Sequence, residues 1–96
     1  MLKKSYLKNG NCRVTFSLPA KVDAESASLC GTFNKWDKNA HPMKRLKNGT
    51  FSITITLPPG EYRFRYYLDD HHWENDWGAD EYRANPFGSE DSIVKV

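Results

Sequence analysis

With 96 residues the chain has room for one domain (residues 1–96) with one core, and its 39% hydrophobic and 14% aromatic content is enough for two packed layers without disulfides or metals. A formal net charge of +2 is too small to imply nucleic acid. The charge is unevenly spread: residues 1–48 hold ten Lys and Arg against Asp23, Glu25 and Asp37, whereas residues 49–96 hold four against nine Asp and Glu. That asymmetry predicts a basic and an acidic region, either suited to orienting on a partner or simply an unevenly charged solvated surface.

Met1–Tyr6 is positively charged with no apolar run behind it, so no signal peptide is expected, and no stretch approaches the length of a membrane span. A cytoplasmic setting is the expectation. Cys12–Leu18 alternates as a strand, with Cys12, Val14, Phe16 and Leu18 inward, and Leu18-Pro19 closes it. In Ser26–Thr32, Cys30 has the opposite parity to Ala27 and Leu29. The two cysteines therefore cannot easily bridge, and free thiols fit a reducing compartment. Asn34–Pro42 reads as a polar loop containing Trp36. Asn48-Gly49, with positive φ at both positions, predicts a tight hairpin between Met43–Lys47 and Thr50–Leu57. Its glycosylation sequon, Asn48-Gly49-Thr50, means only a turn here.

Phe51, Ile53, Ile55 and Leu57 alternate with polar residues, and Pro58-Pro59-Gly60 sends the chain back as Glu61–Asp69. In that strand Tyr62, Phe64, Tyr66 and Leu68 face inward, Arg63, Arg65 and Tyr67 outward. Asp70–Ser89 is a long loop with Trp73, Trp77, Tyr82 and Phe87, and Ser92–Val96 is a short closing strand. Six or seven strands and no helix beyond one turn predict an all-β antiparallel sandwich. Its edge strands permit a dimer but nothing specifies one, so a monomer is expected.

The question of function lies in the two loops. Trp36 and Trp73 stand off the core pattern in polar surroundings. A flat indole suits the C–H face of a sugar ring, and Arg65, Ser89 and Asp91 are placed to take its rim hydroxyls. The alternative is that the tryptophans cap the ends of the core. The carboxylates Asp69, Asp70, Glu74, Asp76, Asp80 and Glu81 read as solvated loop charges, because a sandwich of this size has no second layer to build a glycosidase cleft. Adjacent histidines such as His71 and His72 point apart, and no second cluster completes a metal site. No cofactor is implied. The exposed side of Tyr62–Tyr67 offers a single ring, too thin for stacking nucleic-acid bases.

Gly31-Thr32-Phe33-Asn34-Lys35-Trp36 resembles the glycine–small–Phe–Asn–any–Trp signature of the glycogen-binding early-set domains. That family, carbohydrate-binding module family 48, includes isoamylase N-terminal domains and the β subunit of AMP-activated kinase. Leu57-Pro58-Pro59-Gly60-Glu61, Tyr62–Asp69 and Asn85–Val94 resemble its further motifs in the same order, so the likeness runs from about Val14 to Val96. It implies an immunoglobulin-like sandwich that binds α-1,4-glucans such as glycogen, starch or maltosaccharides without catalysis. Carried over, Trp36 is the first stacking tryptophan, and Trp73 or its neighbour His72 the second. Arg65 replaces a sugar-contacting lysine and Phe87 a leucine that reaches across the sugar. Ser89 and Asp91 stand for a threonine and an asparagine that bond hydroxyls. Trp77 either extends the platform or fills the core. Relatives carry this domain within larger proteins. The Met1 start and an end directly after the closing strand point to a stand-alone module, acting alone or on a glucan-metabolising enzyme in trans. The competing reading is a protein-interaction domain whose sugar site has lapsed.

Overall fold

A computed structural model describes all 96 residues as an immunoglobulin-like sandwich of nine strands in two antiparallel sheets. The first sheet has the order β1-β2-β5-β4, built from β1 (Leu2–Tyr6), β2 (Cys12–Leu18), β4 (Lys44–Arg45) and β5 (Phe51–Leu57). The second has the order β3-β6-β9-β8, from β3 (Ala27–Gly31), β6 (Glu61–Leu68), β8 (Glu81–Ala84) and β9 (Glu90–Lys95). β7 (His72–Glu74) pairs with the far end of β6. The helical content is two single 3-10 turns, Ala20–Val22 and Thr32–Asn34, and no helix is long and apolar enough to cross a membrane.

The alternation of β2, β5 and β6 decides which side chains meet. Cys12, Val14, Phe16 and Leu18 lie opposite Leu57, Ile55, Ile53 and Phe51 and project from the inner face of the first sheet. Phe64, Tyr66 and Leu68 project from the second, and these residues belong to or pack on a cluster of 14 buried side chains. Phe64 centres that cluster, edge-on to Phe16 at 5.0 Å and to Tyr66 at 5.6 Å. Such edge-to-face pairs add about 0.5–1.5 kcal/mol each beyond their buried area.

Three strands depart from the sequence reading. β1 was not anticipated because it carries Lys4 at an inward register, opposite Val14. At this sandwich edge the ammonium reaches Asp80 at 2.6 Å, tying β1 to the other layer. β7 and β8 fall within the segment expected to be loop. β8 escapes the apolar-alternation test because its alternate positions are Glu81 and Arg83, which pair with each other and with Glu61 and Lys95. The loop carboxylates are likewise less solvated than expected. Asp76 is buried and accepts from Tyr66 Oη at 2.6 Å, Gly78 N at 2.7 Å and the Met1 amino group.

The Asn48-Gly49 turn is also different. Only Gly49 has positive φ, at 88°. Gly49 N donates to Leu46 O, Leu46 N to Thr50 O, and Thr50 N to the Asn48 side chain, so the loop has three residues rather than two. Leu7-Lys8-Asn9-Gly10 repeats this Leu-Lys-Asn-Gly sequence and its hydrogen bonds between β1 and β2, with Gly10 at 90°. A left-handed glycine after one ordinary turn is the common solution for hairpin loops of this length. Both cysteines are free and buried. Cys12 faces the core. Cys30 faces away from it and is covered by the loop that follows, its thiol 3.6 Å from Asp37 O.

Candidate carbohydrate-binding face

The outer surface of the second sheet gathers five of the six expected site residues. β6 supplies the floor: Arg63, Arg65 and Tyr67 project outward between the core positions. Arg65 lies opposite Cys30 on β3 and Tyr67 opposite Trp73 on β7. Trp36, Arg65, Trp73, Phe87 and Asp91, with Lys38, Arg63, Asn85 and Pro86, line one open concavity of about 680 Å³. That is within the range of small-ligand sites.

Trp36 reaches this face by way of a strained turn. The Gly31 backbone lies so close to β6 that a Cβ there would sit 2.5 Å from Arg63 O and 2.8 Å from the Phe33 ring. Phe33 plugs the end of the core, 5.9 Å from Phe16 and 6.1 Å from Tyr62 between ring centroids. Asn34 ties the loop: it accepts from Gly31 N and donates to Leu29 O and to His41 Nδ1. Lys35 and Trp36 then both adopt left-handed backbone, φ 57° and 59°, and Trp36 N returns to Gly31 O at 2.9 Å. Two successive non-glycine residues in that region cost free energy of order 1–3 kcal/mol each, and such strain concentrates at functional sites.

The second indole is that of Trp73. Strand pairing puts it beside Tyr67, at 4.6 Å between centroids, and 6.4 Å from Trp36 with the two indole planes 74° apart. His72 does not line the concavity; its ring is exposed and meets Glu74 at 3.2 Å. Trp77 also lies elsewhere, about half exposed, with its indole N–H on Glu74. Of the residues left open by the sequence, Trp73 is the one the fold brings to Trp36.

Cations crown the aromatic pair. Lys38 Nζ lies 4.4 Å from the Tyr67 centroid and 5.6 Å from that of Trp73, and the Arg65 guanidinium lies 5.7 Å from Trp73. Arg65 Nε is buried without an acceptor. Asp91 is nearly buried and both its oxygens are engaged, one by Arg63 and the other by Asn85 Nδ2, each at 3.0 Å. It thus holds two neighbours in place instead of presenting a free carboxylate. Ser89 is set back from the concavity, its hydroxyl bonded to Asn85. Asn85 also accepts from Phe87 N and Ser89 N, which folds the Asn85–Ser89 loop around one side chain and leaves Phe87 90% exposed at the rim.

Arg63, Lys38, Asn85 and Pro86 were not singled out from the sequence. Arg63 was within reach, since it shares the parity of Arg65. Lys38 stands two residues after Trp36, and Asn85-Pro86 directly precedes Phe87, but nothing local shows those loops folding over the same strand.

The 1,4-alpha-glucan branching enzyme of Vibrio cholerae is 35% identical over 65 residues, covering 68% of this chain and 8% of the enzyme. The corresponding enzyme of Photobacterium profundum is 31% identical over 78 residues, 75% of this chain and 10% of the enzyme. The match spans no more than a tenth of either enzyme's length. The model of carbohydrate-binding module 48, the isoamylase N-terminal domain, matches residues 5–88, and the chain belongs to that family.

Proposed function

We propose that the chain, as one unit, is a non-catalytic module for α-1,4-glucans, holding glucose rings on Trp36 and Trp73 across the outer face of β6. The arrangement of the two indoles carries this reading: 6.4 Å apart and 74° from parallel, over an open concavity. A flat β-1,4 ribbon would ask for coplanar rings. An α-1,4 chain turns between successive residues, so neighbouring sugar faces meet rings set at an angle. Arg65 and the Arg63 held by Asp91 offer donors to rim hydroxyls, Ser89 and Asn85 shape the loop, and Phe87 closes over the exposed edge of the sugar. The relatives named above act on 1,4-α-glucan, and an enzyme working on the same polymer is the partner this reading implies.

The charge of the face supports binding without catalysis. Glycoside hydrolysis uses two carboxyl groups across the scissile bond. The concavity is lined by one, Asp91, and it is spent on Arg63 and Asn85. An open face burying a few sugar units binds weakly, on the order of micromolar to millimolar.

The test is electrophoresis in native gels with and without glycogen, comparing wild type with Trp36→Ala and Trp73→Ala, each checked for folding by circular dichroism. Retardation of the wild type that both substitutions abolish is expected. A folded wild type that migrates equally in both gels would end this reading.

A further inference from the structure

Tyr67 is the one aromatic side chain on the outer face of β6, yet it does not line the concavity that Trp36 and Trp73 share. Its ring adjoins that of Trp73 at 4.6 Å, closer than the 6.4 Å between the two indoles. Its hydroxyl donates to Asp70 O at 2.6 Å, which keeps the ring from turning away. The fold therefore sets three aromatic rings side by side, and the third is covered.

The cover is Lys38. Its ammonium stands 4.4 Å from the Tyr67 centroid, against 5.6 Å from that of Trp73. Lys38 belongs to the loop that Asn34 ties down, two residues beyond the left-handed turn at Lys35 and Trp36, so its stem starts from a fixed point beside the platform. The side chain itself is exposed and long enough to swing clear. An ammonium and the C–H face of a sugar seek the same thing, the electron-rich face of an aromatic ring. While the ammonium occupies Tyr67, a sugar can gain from that ring only by first displacing it.

We infer that Lys38 limits the length of glucan the face can hold, its ammonium covering Tyr67 so that the platform ends at two rings where the fold supplies three. This rests on the glucan reading above and names the residue that restricts it. The test is calorimetric titration of the full chain with maltoheptaose, each variant being checked for folding by circular dichroism. Lys38→Ala uncovers the ring and should bind about threefold more tightly than wild type, the scale of one further aromatic contact. Lys38→Arg keeps a cation that stacks on aromatic faces and should not reproduce the gain. Lys38→Ala combined with Tyr67→Leu removes the flat ring and should lose it. If that double variant fails the folding check, the two single substitutions decide.

Lys38→Ala binding no better than wild type would overturn the inference and leave the glucan reading standing. Weaker binding would also overturn it and make Lys38 a donor to sugar hydroxyls. A gain that Lys38→Arg shares, or that survives Tyr67→Leu, would overturn it too, since neither the cation nor the ring is then its cause. If wild type and Lys38→Ala both leave maltoheptaose unbound, the glucan reading itself fails and this inference with it.

Discussion

Gly31→Ala is the substitution that joins fold and binding face most directly. Gly31 has extended backbone, so its requirement is space. An added methyl lies 2.5 Å from the carbonyl oxygen of Arg63, roughly 0.9 Å inside the shortest ordinary contact, and 2.8 Å from two Phe33 ring carbons. The ring is hemmed in by Phe16, Tyr62 and His41, and the carbonyl belongs to the strand that pairs with β3. Relief therefore means parting β3 from β6. Overpacking of this sort costs about 1–3 kcal/mol, and a backbone obstacle puts it in the upper half of that range. For a domain of this size about 2–3 kcal/mol lowers Tm by roughly 10–20 °C. Because Trp36 N hangs from Gly31 O, the same movement shifts the first indole, and glycogen affinity should fall about tenfold, or ~1.4 kcal/mol. Calorimetric melting and retardation in glycogen gels read the two effects separately. A variant with wild-type melting and retardation would refute the account of why glycine opens this motif.

Asn85→Ala removes the side chain around which the Phe87 loop folds, so maltoheptaose affinity should drop about fivefold while Tm falls by only about 4–8 °C, the lost bonds being mostly exposed and worth ~1 kcal/mol together. Tyr66→Phe takes from buried Asp76 its closest side-chain donor, and the urea midpoint should fall by the equivalent of about 1–3 kcal/mol. Burial pushes the Cys30 thiol up to about 11, partly offset by nearby Lys38. The unfolded chain then loses this proton first as pH rises past 9, so stability should decline between pH 9 and 11, by at most ~1–2 kcal/mol after solvent screening. Urea unfolding across that range should show the decline, and Cys30→Ala should flatten it from a lower starting point. Tyr66, held protonated by burial beside Asp76, adds its own loss from about pH 10 upward, so the flattening by Cys30→Ala is read between pH 9 and 10.

The sequence yields its structure where one face of a strand meets the core. β2 alternates throughout and β5 and β6 along most of their length, and the outward aim of Arg65 follows from the inward aim of Phe64 and Tyr66. β1 and β8 are edge strands in which ion pairs with a distant element take the place of apolar alternation, so Lys4, Glu81 and Arg83 read as loop until Asp80, Glu61 and Lys95 are beside them. The site divides the same way. Trp36 was named from the motif that carries it, but that Trp73 and not His72 lies beside Trp36 follows only from the register of β7 against β6. Asp91 was read as a hydroxyl contact because its engagement by Arg63, 28 positions earlier, and by Asn85 is a fact of tertiary structure.

β6 writes two messages in alternate letters. Tyr62, Phe64, Tyr66 and Leu68 specify the interior; Arg63, Arg65 and Tyr67 specify the face that meets the outside world. Randomising positions 65 and 67 would vary that face on an unchanged scaffold, while any change at 63 has to be matched at the nearly buried Asp91 that Arg63 neutralises. Randomising 64, 66 and 68 would instead sample ways of failing to fold. For anyone engineering new recognition into this domain, the library is two codons long, separated by one that must be left alone.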